Sequence, residues 1–112
     1  MVSRTYLEYT EKALDNIDKT VNYIKNVLQN KQAAKKLLES IKRKVNISAE
    51  YPESCQLIPT NIKELANIRK AVINSYSLFY EYDKGNGRII ILNFVYNHQD
   101  LNGMLQSLTN SI

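Results

Sequence analysis

Apolar residues in the first half of the chain recur at helical spacing. Ile17, Val21, Ile24 and Leu28 are separated by four, three and four positions, which puts them on one face of an α-helix. Asn30 stands where such a helix would be C-capped. A second series, Ala34, Leu38, Ile41 and Val45, repeats the spacing, and Leu37 widens its stripe. Two helices joined by so few residues lie antiparallel, and each carries an apolar stripe that the other alone cannot cover. The segment before them, Thr5 to Tyr9, has the Thr and Tyr content of a strand.

The second half changes period. Pro52 and Pro59 bracket a stretch, Tyr51 to Asn61, with no clear repeat, and the residue before each proline is kept out of the helical region, so this reads as loop. From Leu65 onward, Ile68, Val72, Tyr76, Leu78, Tyr80 and Tyr82 fall on alternate positions in β-branched and aromatic surroundings. Asn74-Ser75 marks one turn, and Asp83-Lys84-Gly85-Asn86-Gly87 marks a hairpin, because Gly and Asn tolerate positive φ. The near-continuous apolar run from Arg88 to Tyr96 predicts a central strand covered on both faces. Asp100 then caps a short terminal helix with Leu101, Met104, Leu105 and Leu108 on one face; at this length it must dock on the sheet or on another chain. The order β-α-α-β-β-β-α describes an α+β fold. An N-terminal strand and a helical hairpin pack on a small antiparallel sheet, a short C-terminal helix follows, and one sheet face stays partly open.

Composition sharpens this. The chain has 112 residues, 44% apolar and 23% charged, which suits a single domain spanning 1–112 with one modest core. Its longest aliphatic run, Ile89 to Leu92, is far short of the roughly 20 residues of a membrane span, and no apolar signal stretch opens the sequence, so a cytoplasmic protein without membrane contact is expected. With Cys55 the only cysteine and His98 the only histidine, neither an internal disulfide nor a structural zinc site is expected. Gly85-Asn86-Gly87 lacks the Lys-Ser or Lys-Thr of a phosphate loop, so no nucleotide cofactor is expected.

Charge is unevenly placed. The net charge is +4 and the pI near 9.2, which favours anionic partners. Between Lys12 and Lys44, nine cations stand against three acids, a net of +6. Most such runs are solvated helix faces. Among residues able to do chemistry, Arg69 and Lys70 are neighbours on a strand and therefore point to opposite faces, only one of them the open one. His98 titrates near neutral pH, although a lone histidine beside a turn is more often a surface residue. Tyr80 and Tyr96 are able to stack a base or donate a proton, but with eight tyrosines and no tryptophan most must serve the core or its rim.

In their order, these elements and several local strings resemble the RelE/ParE superfamily of toxins from type II toxin–antitoxin modules, over nearly the whole chain. The hairpin, Ile17 to Leu57, carries Tyr23-Ile24, Ala33-Ala34, Ile41 and Pro52-Glu53; the run Ile68 to Tyr80 is similar to the family's arginine-led strand, turn and Tyr-x-hydrophobic-aromatic-Tyr strand; Ile91 to Leu101 is similar to the last strand and the motif after it. The resemblance implies a growth-arresting toxin held in a hetero-oligomer with a small cognate antitoxin. Two positions depart from it. Where many members have Tyr-Gly-Arg-Arg-Asp, this chain has Tyr96-Asn97-His98-Gln99-Asp100, and where RNA-cleaving members often carry an arginine it has Ser77. Cleavage through a 2′-hydroxyl requires a base, an acid and cations for the transition state, and two expected cations are missing. The resemblance therefore implies ParE-like inhibition of DNA gyrase, with Lys35, Lys42, Arg43, Tyr80 and Tyr96 as binding residues. The alternative is a RelE-like, ribosome-dependent mRNA endonuclease using His98, Lys70 and Arg69 as catalytic residues.

Overall fold

The computed structural model describes residues 5–97. Thr10 joins the first two elements, strand β1 (Tyr6–Tyr9) and helix α1 (Glu11–Asn22). Its extended backbone carries the strand's direction, and its hydroxyl accepts from the Ala13 amide at 3.1 Å as an N-cap while donating to the Leu92 carbonyl at 3.0 Å. Helix α1 runs into a π-turn over Tyr23–Val27. Helix α2 (Lys31–Glu50) follows, and Asn30 is its N-cap, accepting from the Ala33 amide at 3.0 Å. Asn30 therefore starts the second helix instead of ending the first. Gln29, at φ 51°, takes the left-handed position that closes the first helix.

Strands β3 (Ile68–Ile73), β4 (Tyr76–Asp83) and β5 (Arg88–Tyr96) form the expected antiparallel meander. Two edges extend it. Strand β1 lies parallel to β5, with Tyr6 opposite Arg88, and a two-residue strand β2 (Gln56–Leu57) pairs antiparallel with β3. The sheet is thus five-stranded and mixed, in the order β1-β5-β4-β3-β2, and β2 falls inside the segment read from sequence as loop.

Both sheet faces are packed along β5, as its apolar run predicts. On one face Ala13, Ile17, Leu37, Ile41 and Val45 of the helices cover Leu78, Tyr80, Ile89, Ile91 and Phe94. On the other, Ile58 and Leu65, the latter the last residue of a short 3₁₀ turn (Lys63–Leu65), close over Ile68, Phe79, Leu92 and Val95. A bulge interrupts the alternation of β5: Phe79 faces Asn93 and Tyr80 faces Ile91, leaving Leu92 without an opposite number. One extra residue reverses the alternation beyond it. Asn93, buried at the bulge, is satisfied by the Asn16 amide at 2.6 Å and the Phe94 amide at 2.8 Å.

Leu28 departs from its expected place in the stripe. The π-turn adds a residue to the last turn of the hairpin's first arm and rotates Leu28 out of the core, where it is exposed. The C-terminal helix expected over residues 101–108 lies outside the described residues. Among those described, no helix is long and apolar enough to cross a membrane.

Candidate functional site

Strand alternation decides where the cations of β3 point. Arg69 shares its face with Ala71 and Ile73, which pack under the helices. Its guanidinium donates to the Cys55 carbonyl at 2.6 Å and the Glu53 carbonyl at 3.4 Å. It ties the loop after α2 to the sheet. Lys70 shares the opposite face with Ile68 and Val72; Ile68 is covered, whereas Lys70 and Val72 are exposed. As alternation along one strand requires, the two point apart, and the structure puts Lys70 on the exposed face.

The rest of that face offers little for phosphate chemistry. Ser77, opposite Val72, is buried, and its hydroxyl is hydrogen-bonded to the Asn97 side chain. The Asn97 amide donates to the Ser75 carbonyl at 2.8 Å, which fixes the end of β5 against the β3–β4 turn. Of the three cations carried by strands, Arg69 is bound to backbone and Arg88 is held by Glu8 at 3.2 Å and Asp83 at 3.1 Å. Lys70 alone extends free, among the described residues. It lines a shallow cleft of about 470 Å³ with Lys44 of α2 and residues 54–59. Lys44 and Lys70 are 26 positions apart in sequence, with no local pattern to link them.

Tyr80 sits in the core. Its ring is fully buried, its hydroxyl donates to the Pro52 carbonyl at 2.9 Å, and burial together with the neighbouring Cys55 thiol pushes its pKa up to about 12. In this position it has no face to offer a base. Tyr96 is different. Half-exposed at the end of β5, it meets Tyr76 edge-on at 5.6 Å, and Tyr76 stacks on Phe94 at 5.0 Å. Tyr23, Tyr76 and Tyr96 line an apolar cleft of about 380 Å³ with Lys19 and Thr20. Burial and the adjacent Tyr96 raise the Tyr76 pKa. Sequence reasoning missed Tyr23 and Tyr76 here; the one signal available was that Tyr23 and Val27, four apart, fall off the core stripe of α1.

The basic hairpin is real as a surface. Lys31, Lys35, Lys36, Lys42 and Arg43 are exposed along the outer side of α2, and Glu39 is the one acid among them before Glu50. Lys35, Lys42 and Arg43 are therefore brought together on the solvent side of one helix, whereas Tyr80 is buried in the core and Arg69 is bound to the backbone of the loop after α2. His98 lies outside the described residues.

Residues 7–101 match a family described as the ParE toxin of the type II toxin–antitoxin system parDE. No curated protein matches the chain in sequence. Among solved structures, the chromosomal ParDE toxin–antitoxin system of P. aeruginosa is similar with a TM-score of 0.65 at 18% identity, covering 83% of this chain and 96% of that one. The RelBE2 toxin–antitoxin complex of Mycobacterium tuberculosis gives 0.61 at 15% identity, covering 84% and 99%. A mutant of the E. coli toxin RelE in the free state gives 0.58 at 15% identity, covering 97% and 94%. At these identities the structures speak for the fold, which ParE-like and RelE-like proteins share.

Proposed function

Because the chain belongs to the ParE toxin family of type II toxin–antitoxin systems, we propose that it arrests growth by binding and inhibiting DNA gyrase, without cutting RNA, and that a cognate antitoxin neutralises it. The observation that carries the choice of target is the far sheet face. Among the described residues its strands present one free cation, Lys70, while Arg69 is turned beneath the helices and Ser77 is occupied by Asn97. A phosphoryl-transfer site needs several charged and proton-transferring groups converging on one phosphate, and the loss of one such group commonly costs two or more orders of magnitude in rate. A binding toxin needs only a complementary surface. The outer side of α2, with Lys35, Lys42 and Arg43, is that surface.

Expressing the chain without antitoxin tests this. The expected result is DNA breakage and loss of supercoiling activity ahead of any transcript cleavage. Charge reversal at Lys35, Lys42 or Arg43 should weaken growth arrest, and Lys70→Ala and His98→Ala should leave it nearly intact. Ribosome-bound transcripts cut by the parent chain, and no longer cut by Lys70→Ala or His98→Ala, would instead establish the RelE-like endonuclease. The +6 hairpin, able to meet ribosomal RNA phosphates, favours that second reading.

A further inference from the structure

Cys55 is the chain's only cysteine, and it stands between the core and solvent. Its backbone is fixed, because the Arg69 guanidinium donates to its carbonyl at 2.6 Å and the residues that follow, Gln56 and Leu57, form β2 against β3. On the inner side it packs against the helix-covered core and faces the Tyr80 hydroxyl. The Ser48 hydroxyl faces that same Tyr80 oxygen, is fully buried, and completes no hydrogen bond. Tyr80 already donates to the Pro52 carbonyl at 2.9 Å. Ser48 is therefore a spare donor beside the thiol, and a buried donor without an acceptor is rare enough to call for a cause.

On the outer side Cys55 is half-buried and lines the cleft of about 470 Å³ that also holds Lys44 and Lys70. That volume lies within the roughly 300–1,000 Å³ of small-molecule sites. Neither lysine has an ion pair among the described residues, and no acid lines the cleft. Glu53, two positions before Cys55, is turned to Lys84 at 3.8 Å.

We propose that Cys55 is a modification site that captures an acidic, low-molecular-weight thiol as a mixed disulfide, with Lys44 and Lys70 holding the reagent's carboxylates and Ser48 donating to the charged sulfur. The co-reactant is the corresponding small disulfide. The Cys55 thiol gives its proton to solvent, and the thiolate attacks one sulfur of the reagent. The reagent's S–S bond breaks as a bond from Cys55 Sγ to one half forms; the other half leaves as a thiolate and takes a proton from solvent. Cys55 is oxidised and the reagent is reduced, with no other electron acceptor. A cationic disulfide is repelled by the two lysines, and a second copy of this chain would bring its own lysines against them, so the cleft selects for negative charge. This chemistry is independent of the target proposed above.

Glutathione disulfide, whose halves are anionic, and cystamine, whose halves are cationic, are the probes. Intact-mass measurement on the purified full chain follows each adduct, and the urea-unfolded chain gives the reference rates. In the folded chain the ratio of the glutathione rate to the cystamine rate should exceed that of the unfolded chain by about tenfold at low salt and fall as salt is added. Lys44→Glu/Lys70→Glu should reverse the preference. Ser48→Ala should slow both reagents alike and leave the ratio unchanged. Circular dichroism verifies that the variants fold. A folded chain that stays unmodified under conditions where the unfolded chain reacts fully would show that Cys55 is closed to reagents. A ratio equal in folded and unfolded chains, or unmoved by the double charge reversal, would remove the lysines' role, and full reactivity in Ser48→Ala would remove the donor's. A disulfide-linked pair of chains in place of the small adduct would assign the thiol to a second copy. Any one of these results overturns the proposal.

Discussion

Replacing Tyr80 by phenylalanine separates the packing of its ring from the work of its hydroxyl. The ring is fully buried under the helices, so Tyr80→Phe keeps the contact area and removes only the donor that satisfies the Pro52 carbonyl at 2.9 Å. Losing one neutral hydrogen bond and leaving its acceptor unpaired costs about 1–2 kcal/mol at pH 8. The pH dependence follows from the hydroxyl's raised pKa, about 12, caused first by burial and then by Cys55. A tyrosine in the unfolded chain titrates near 10. As pH rises the unfolded state loses this proton first, so the parent's stability is complete below about pH 10 and declines toward pH 12. At pH 11 the decline amounts to about 1.4 kcal/mol. Phenylalanine has no proton to lose. The stability gap between parent and variant, about 1–2 kcal/mol at pH 8, should therefore nearly close at pH 11. Urea unfolding followed by far-ultraviolet circular dichroism at both pH values measures it. Tyr9 and Tyr76, whose pKa values burial also raises, titrate alike in both proteins and cancel. A gap that stays constant or widens at pH 11 would refute the placement of this hydroxyl.

Two further expectations concern the turns. Gln29 pays for its φ of 51° with backbone strain that glycine does not feel, so Gln29→Gly should raise stability by up to about 1 kcal/mol in thermal melts; a loss would mean that the Gln29 side chain makes a contact worth more than the strain. Asp83 is held below the ordinary carboxylate range by hydrogen bonds from Asn86 and Arg88. Its folded value is depressed, so the stability it contributes is present above about pH 4 and lost as pH falls through the folded value; melting temperatures recorded from pH 6 to pH 2 should fall less steeply in Asp83→Asn than in the parent.

Local pattern carried much of the architecture. The helical stripes, the Asn74-Ser75 turn, the hairpin at Asp83 to Gly87 and the buried run of β5 were all legible, because each depends on residues a few positions apart whose periodicity or backbone preference is a property of the chain itself. The resemblance in strings such as Ile68 to Tyr80 was legible for the same reason, and the family match bears it out. Wherever the outcome depended on residues far apart in sequence, pattern was silent. The parallel pairing of β1 with β5 joins positions about 80 residues apart. The pairing of β2 was hidden because two residues have no period to display. The bulge at Leu92 reverses which side chains of β5 meet the helices, and no local rule marks it. Leu28 left its stripe because the π-turn changed the helical phase by one residue. The same holds at the candidate site. Alternation alone established that Arg69 and Lys70 point apart, but only packing decided that Arg69 lies beneath the helices, bound to the Cys55 carbonyl, and that Lys70 faces outward beside Lys44. A tyrosine can serve as a stacking surface or as core depending on what covers it. The sequence determined that Tyr80 and Tyr96 lie on strands, and the tertiary structure alone decided that the first is buried under α2 while the second remains at the edge of a cleft, because burial is set by which distant elements meet a side chain and not by its neighbours along the chain.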